Sequence, residues 1–373
     1  MIRRFGTPFV IVLVVAAAGL AAALPPAATA QDDPDVVTTV NGTPISREAF
    51  HGRVRFVRWQ YLQEIAKLHE LTAGNLGLAA GRVLTLLDGL RDPDALGEAV
   101  LSQMEDELLA LEAATLLQAE PTPDDVRAKH DTFFGLWTGV EPDDLAADAA
   151  AQRFIADWYA AAQSVSGLDR DAIDAIFATE ARWDALYTLI AARAPTEELT
   201  VHSRHILCRF APDEPEPVPS PSEAQRRAAL DCIRAAQARL AGDEPFADVA
   251  ADLSGDAASA ARGGDLGWVP LSYLVDGYAA AVETARPNTV IGPVETEYGL
   301  HLIEVLEREM RPLSEPDRAQ VQSELFGAWL DRLRQDATIT RSADWAEGIP
   351  AEPALNTLSP DVLEAIDRLE QAG

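Results

Sequence analysis

Positive charge is scarce in this sequence. Its 373 residues include 30 lysines and arginines against 60 aspartates and glutamates, which gives a net charge of −30 at neutral pH. A chain this acidic repels nucleic acid and anionic lipid headgroups, so both are excluded as partners. It attracts basic, unfolded polypeptide segments, although a role in solubility explains the charge equally well.

Cysteine is also scarce, because Cys208 and Cys232 are the two in the whole chain. Cys208 falls on the face of a predicted strand opposite His205, and Cys232 falls on the apolar stripe of the helix that follows. If that helix covers the strand, the two sulfurs meet. A disulfide and a pair of buried free thiols both agree with the sequence. No cysteine follows the apolar run near the N-terminus, so a lipid anchor is not expected.

Two local patterns resemble a metal site and a phosphate-binding loop, but neither has the arrangement that such a site requires. His202, His205 and Cys208 are evenly spaced, but strand alternation directs His205 away from the other two, so no metal site is predicted. Gly263-Gly264 lacks the lysine and the following helix of a phosphate-binding loop. The sequence therefore predicts chemistry without a metal or a cofactor.

Residues 1–30 have the pattern of a signal peptide. Arg3 and Arg4 form a positive start, Phe9–Leu24 is apolar, and Ala28–Ala30 is a small-residue cleavage site. This pattern predicts an exported protein, periplasmic or extracellular. If the segment is not cleaved, it anchors the protein in a membrane instead.

The flanks of the chain are rich in helical patterns. Asn41-Gly42 between β-prone runs predicts a hairpin, and Ser46 is placed to cap the helix that follows, whose apolar residues recur at three- and four-residue steps. Helical patterns continue to Ala192 and resume after Glu309. The N-terminal flank contains no cluster of catalytic residue types.

The central stretch differs from both flanks. It contains Ser203–Leu207, then Arg262–Val269, and finally Ile291–Val294 followed by Tyr298–Ile303. Two predicted strands each carry one inward histidine, His205 and His301, so adjacent strands could pair the two rings. The alternative is two unrelated histidines, each hydrogen-bonded to backbone in the core.

These three segments, in this order and with a helical spacer after the first, resemble the parvulin family of peptidyl-prolyl cis-trans isomerases. The opening Val40–Phe50 resembles the N-terminal segment of exported foldases of the SurA and PrsA type. The resemblance implies an α+β protein: a helical chaperone-like domain from the N- and C-terminal segments, plus a parvulin domain with a four-stranded antiparallel sheet ringed by helices. The implied domains are the signal peptide 1–30, the helical domain 36–196, the parvulin domain 198–309 and a completing helical segment 310–373.

The resemblance also implies which residues form the catalytic site. His205 and His301 pair beneath the groove, and Thr296 joins their hydrogen-bond network. Either Asp256 or Ala257 faces the reacting amide, and Asp256 is chosen because it alone has useful chemistry. Asp256 also fits an ordinary solvated turn.

Three further residues, Leu266, Leu274 and Tyr278, are implied to line a cup for the proline ring. Parvulins usually carry phenylalanine where Tyr278 stands, so its hydroxyl is expected at the rim of the cup. The leucines also fit plain core positions, and the tyrosine fits a surface helix.

The implied function is isomerisation of X–Pro bonds in unfolded exported polypeptides, together with holding them as a chaperone. The alternative is a non-catalytic holdase that uses the parvulin domain only to bind peptide. The loop Ala211–Ser222 is acidic and rich in proline, where phosphate-selective parvulins carry a basic loop. A preference for phosphorylated substrates is therefore not expected.

Overall fold

The chain forms two compact units. The computed structural model describes residue 33 and residues 35–212 and 216–371, so the predicted signal peptide 1–30 lies outside the described residues. Of the described residues, those up to Ala194 and those from Gln322 onward form the first unit, and those from Pro195 to Val321 form the second. Within the described ranges, no helix combines the length and the apolar character needed to cross a membrane.

Helices dominate the first unit, and a sheet with surrounding helices forms the second. The strands are β1 (Val36–Val40), β2 (Thr43–Ser46), β3 (Glu197–Arg209), β4 (Asp265–Pro270), β5 (Val290–Thr296), β6 (Gly299–Pro312) and β7 (Ile339–Arg341). The helices are α1 (Arg47–Leu71), α2 (Ala80–Arg91), α3 (Pro93–Leu117), α4 (Pro123–Thr138), α5 (Ala149–Ser166), α6 (Arg170–Ala191), α7 (Glu223–Ala241), α8 (Phe246–Leu253), α9 (Ala257–Ala260), α10 (Asp276–Thr284), α11 (Glu315–Asp336) and α12 (Pro360–Gln371). The predicted α+β class, with a helical unit built from both ends of the chain, is confirmed.

The N-terminal hairpin forms as the sequence predicts. Asn41 and Gly42 both have positive φ, +50° and +87°, which is the geometry of the turns that join tightly paired antiparallel strands. β1 pairs with β2 on one side and with β7 on the other, so the C-terminal segment completes this small sheet. Ser46 accepts a hydrogen bond from the backbone of Ala49 and caps α1.

Helix α1 is buried on more than the one stripe that the sequence predicts. The predicted positions Phe50, Val54 and Ile65 are fully buried. Phe56 and Trp59 are also buried, and they pack into a separate aromatic cluster with residues of α4 and α5. A surface helix has one apolar face, whereas a helix with neighbours on several sides is apolar around most of its circumference. α1 is therefore the central helix of the first unit.

The C-terminal segment is held more firmly than its loose, proline-bearing sequence suggests. Arg58, which is buried, donates to the carbonyl oxygen of Pro353 at 3.2 Å and to that of Leu90 at 3.0 Å. Leu358 and the apolar face of α12 pack against α1 and α2. Buried contacts therefore hold the segment from Gly348 to Ser359 in the folded chain.

The second unit contains one antiparallel sheet in the order β4-β3-β6-β5. One apolar cluster includes residues of α7 and α8, and another includes residues of α10. Cys208 on β3 and Cys232 on α7 form a disulfide, with their Cα atoms 5.9 Å apart. The structure thus decides between the two states that the sequence left open, because α7 packs on the strand face that carries Cys208.

Candidate active site

The two histidines lie on the central strands of the second unit. In the register of β3 with β6, Leu207 stands opposite His301 and His205 stands opposite Ile303, so the histidines are diagonal neighbours on one face. Their Nδ1 atoms are 3.2 Å apart and their rings stack at an interplanar angle of 28°. Both rings are buried. The structure therefore brings together the two side chains that the sequence placed on adjacent strands.

A hydrogen-bond chain continues from both ends of this pair. The Nε2 atom of His301 is 2.8 Å from the hydroxyl of Thr296, which ends β5. The Nε2 atom of His205 is 2.9 Å from Oδ2 of Asp256, the residue that caps α9. Ala257, the other residue considered from the sequence, is the first residue of α9. Asp256 is thus the one whose side chain reaches His205.

The chain of hydrogen bonds has one consistent proton arrangement when both rings are neutral. An ionised Asp256 only accepts, so His205 donates from Nε2 and accepts at Nδ1. His301 then donates from Nδ1 and accepts at Nε2 from the hydroxyl of Thr296. The proton positions on the two rings follow from this matching of donors with acceptors. All four side chains are satisfied without a charge on either ring.

Burial and neighbouring charges support this assignment. Desolvation, reinforced by the positive charge of Arg209, lowers the pKa of His301 to about 3, so this ring is neutral at physiological pH. The hydrogen bond from His205 holds the pKa of Asp256 well below its usual range, against the opposing effect of burial. The site therefore combines a neutral buried imidazole with a fixed carboxylate.

The three predicted cup residues belong to one apolar cluster beside this network. Leu266 and Leu274 are partly buried, and Tyr278 is only 3% exposed. The ring of Tyr278 meets both histidine rings edge to face, at angles of 74° and 84°. The alternative of a surface tyrosine does not hold, because Tyr278 packs inward from α10 against the sheet.

The hydroxyl of Tyr278 does not lie at the rim, as the sequence suggested. It is 3.1 Å from the hydroxyl of Ser203, which is also buried. A buried hydroxyl without a partner is costly, and this pair satisfies both groups. Burial raises the pKa of Tyr278, so the phenol stays protonated. The tyrosine fits here because the strand supplies a serine beneath it.

Sequence reasoning missed two residues of the site, Ser203 and Ser259. Ser203 precedes His205 by two residues, so strand alternation would have placed both side chains on one face. Ser259 follows Asp256 by three residues, the spacing of a capped helical turn, and its hydroxyl is 3.1 Å from Nε2 of His205. Both signals were present but are common in unrelated turns and strands.

The arrangement is unsuited to nucleophilic catalysis by serine. In a serine–histidine–aspartate triad the serine and the carboxylate bind opposite nitrogens of the imidazole. Here Ser259 and Asp256 both approach Nε2 of His205, while Nδ1 is occupied by His301. His202, the remaining histidine of this strand, binds Asp265 at 2.9 Å. Across the ranges that the structure describes, no group of three or more histidine, cysteine or acidic side chains is arranged to hold a metal ion.

The site lies in a segment that matches a known domain family. Residues 205–307 match the PPIC-type PPIASE domain, also called Rotamase. Chaperone SurA of Bordetella avium (strain 197N) is 33% identical over 168 residues, which are 43% of this chain and 31% of that protein. Chaperone SurA of Methylococcus capsulatus (strain ATCC 33009 / NCIMB 11132 / Bath) is 33% identical over 162 residues, 41% of this chain and 34% of that protein. The chain thus matches about a third of the length of these curated relatives.

The chain also aligns in part with solved structures. The crystal structure of peptidylprolyl isomerase (PrsA) from Bacillus cereus aligns with 74% of this chain and 90% of its own chain, at 15% identity and a TM-score of 0.36. At that TM-score the likeness supports no functional argument. The domain match at residues 205–307 is the finding that bears on the site.

Proposed function

We propose that this chain, which carries a PPIC-type PPIASE domain at residues 205–307, is an exported foldase. It catalyses cis-trans isomerisation of X–Pro bonds in unfolded polypeptides and holds those polypeptides as a chaperone. The observation that carries the proposal is the buried His205–His301 pair beside the apolar cluster of Leu266, Leu274 and Tyr278.

The chemistry of prolyl isomerisation fits such a site. The barrier to rotation, about 18–20 kcal/mol, comes from the partial double bond of the amide and is lowered by binding the twisted amide more tightly than the planar one. This requires an apolar cup for the proline ring and a preorganised polar surface near the amide. No nucleophile, metal or cofactor is required for this reaction.

Each proposed site residue has a role in this scheme. Leu266, Leu274 and Tyr278 hold the proline ring. His205 and His301, oriented by Thr296, shape the polar floor and do not attack the substrate. Asp256 provides the fixed negative charge, with its side chain one-quarter exposed toward solvent.

The helical unit is proposed to hold the client. We assign residues 36–196 and 310–373 to the chaperone domain and residues 198–309 to the isomerase domain. The relatives named above are chaperones by name, which supports this division of labour. Clients are unfolded or partly folded exported polypeptides that contain proline, and the acidic loop Ala211–Ser222 disfavours phosphorylated ones. Export depends on residues 1–30, and an uncleaved segment would keep the protein at a membrane.

The rival is a holdase that binds peptide without catalysing isomerisation. It is favoured by the tyrosine hydroxyl beneath the cup, where parvulins usually have phenylalanine. Prolyl isomerisation of unphosphorylated tetrapeptides separates the two functions. We expect clear acceleration by the purified protein and its loss in the variant His205→Ala plus Leu274→Ala.

Two matched variants control for unfolding. His202→Ala removes a histidine of the same strand that is bound to Asp265 outside the network. Leu230→Ala removes a leucine of α7 that is 37% exposed. Both should keep full activity. Absence of acceleration by folded wild-type protein that still suppresses aggregation of an unfolded client would establish the holdase instead.

A further inference from the structure

The carboxylate of Asp256 is held by three donors. Its Oδ1 atom accepts from the backbone N–H of Ala258 at 3.2 Å, as the cap of α9. Its Oδ2 atom lies 2.9 Å from Nε2 of His205 and 2.5 Å from the hydroxyl of Ser259. The direction of the carboxylate is therefore set by α9 as much as by the histidine.

Ser259 closes a triangle with these two groups. It is 1% exposed, and its hydroxyl oxygen is 3.1 Å from Nε2 of His205. A carboxylate only accepts, so the serine hydroxyl donates to Asp256. The serine oxygen then presents a lone pair to His205. Nε2 of that ring consequently faces two acceptors, Oδ2 of Asp256 and Oγ of Ser259.

We propose that Ser259 is a positioning residue of the isomerase site, which orients Asp256 and holds the proton of His205 on Nε2. This proposal rests on the proposed function. It adds Ser259, which acts on the site through Asp256 and His205 and does not touch the substrate. With the proton on Nε2, Nδ1 of His205 accepts from His301, and His301 accepts from Thr296. The hydroxyl of Ser259 thus reinforces the direction that Asp256 gives to the hydrogen bonds of the network.

The effect of Ser259 on Asp256 can be measured separately from the effects of the other charged and titratable groups nearby. The charged and titratable groups that face the network are His205 and Arg209 of β3, His301 of β6 and Tyr278 of α10. None of these is altered when Ser259 is changed. The hydrogen bond from Ser259 is one of the interactions that lower the pKa of Asp256, so its loss moves that pKa upward toward the ordinary value of about 4.

The test is a double-mutant cycle on the full chain with a proline tetrapeptide. We expect Ser259→Ala to lower kcat/KM about tenfold, the size of a hydrogen bond to a charged group. We expect Asp256→Ala to lower it at least as much, and the double variant to match Asp256→Ala alone. The acid limb of the pH profile of kcat/KM should move to higher pH in Ser259→Ala, because Asp256 becomes protonated more easily.

A second readout does not depend on activity. In protein labelled with ¹⁵N at histidine, the Nε2 signal of His205 should show a protonated nitrogen in the wild type and a smaller protonated fraction in Ser259→Ala. Ser254→Ala is the matched control for loop structure, since this serine accepts from the backbone N–H groups of Leu207 on β3 and of Asp256, and no hydrogen bond joins it to the carboxylate or to His205 among the described contacts. It should lower stability while leaving the tautomer and the pH profile unchanged.

Three results would overturn the proposal: unchanged kcat/KM and tautomer in Ser259→Ala, additive effects in the cycle, or an identical tautomer change in Ser254→Ala. The first means that Ser259 has no influence, and the other two mean that it acts only through loop structure. If the wild type itself shows no isomerisation, the proposed function fails, whereas the tautomer comparison still decides whether Ser259 orients His205.

Discussion

The two units bury polar groups in opposite ways. In the first unit, buried carboxylates are matched with arginines from distant parts of the chain: Arg341 binds Glu105, and Arg334 binds Asp106. In the second unit, hydroxyls and neutral imidazoles form a chain that ends on one carboxylate, Asp256. The buried ion pairs hold separate segments of the first unit in register. The hydrogen-bonded hydroxyls and imidazoles of the second unit set the direction of protons and dipoles. Buried polarity thus serves assembly in one unit and site geometry in the other.

The largest expected effect comes from breaking an ion pair of the first unit. Glu105 accepts from Thr38 at 2.8 Å and from Arg341 at 2.7 Å, and its side chain is 5% exposed. Glu105→Ala removes the acceptor of Thr38 and the buried one of the two carboxylates that bind Arg341, and should lower the free energy of unfolding of this unit by about 3–5 kcal/mol. Urea denaturation followed by circular dichroism measures the change.

Glu98 provides the matched control for Glu105. It binds the same arginine, Arg341, but its side chain is 51% exposed. Because solvent screens exposed pairs, Glu98→Ala should cost about 0–1 kcal/mol. Equal losses in the two variants would show that burial of Glu105 is not what makes its pair important.

The second unit depends on a covalent link where the first depends on ion pairs. The Cys208–Cys232 disulfide ties β3 to α7 across 24 residues of sequence. Replacing both cysteines by alanine should lower the stability of this unit by about 2–4 kcal/mol. The melting temperature with and without reductant measures it. Reductant should destabilise the wild type and leave the double variant unchanged, and a wild type insensitive to reductant would contradict this.

Acid should weaken the second unit through His301. Its pKa is lowered to about 3 in the fold, from an unfolded value near 6.5, so between these pH values the unfolded chain binds the extra proton. The contribution of His301 to the free energy of unfolding is therefore at its maximum above pH 6.5. It falls as the pH decreases, by up to about 1.4 kcal/mol per pH unit, until the folded pKa is reached. Unfolding free energies measured from pH 7 to pH 4 give the slope.

His301→Gln removes the titrating group and should flatten that slope. Asp256 contributes a separate loss below pH 4, because its pKa is lowered and its stabilisation requires the ionised form. An unchanged slope in His301→Gln would mean that another group governs the acid response.

The smallest expected effect is that of Tyr278→Phe, which tests whether the buried hydroxyl pair belongs to the neutral network. The change removes the partner of Ser203 and should cost about 1 kcal/mol in stability while preserving isomerase activity. Tyr273→Phe is the surface control, because this tyrosine is 66% exposed, and it should have no measurable effect. A rise in activity from an inactive wild type would favour the holdase and identify the hydroxyl as its cause.

Local chemistry made much of the fold predictable. The Asn41-Gly42 turn and the Ser46 cap of α1 each follow from side chains and backbone preferences within a few residues. The positions of His205 and His301 on inward strand faces follow from the same two-residue alternation. Features of this kind need no knowledge of distant neighbours.

Other features depended on neighbours that are far apart in sequence. The two-sided burial of α1 was missed because Phe56 and Trp59 lie outside the single stripe that a surface helix requires. The hydroxyl of Tyr278 was placed at the rim because its partner, Ser203, precedes it by 75 residues. No local pattern specifies either contact.

The sequence by itself determined the hairpin, the capped helices, the α+β class and the order of the segments that carry the site residues, because these depend on short-range preferences and spacing. Only the tertiary structure decided that Cys208 and Cys232 are bonded, that Asp256 and not Ala257 reaches His205, and that Ser259 shares the same nitrogen. The physical reason is that hydrogen bonds and disulfides require distances within a few tenths of an ångström. Such distances are set by the packing of α7 and α9 against the sheet, which no local pattern encodes.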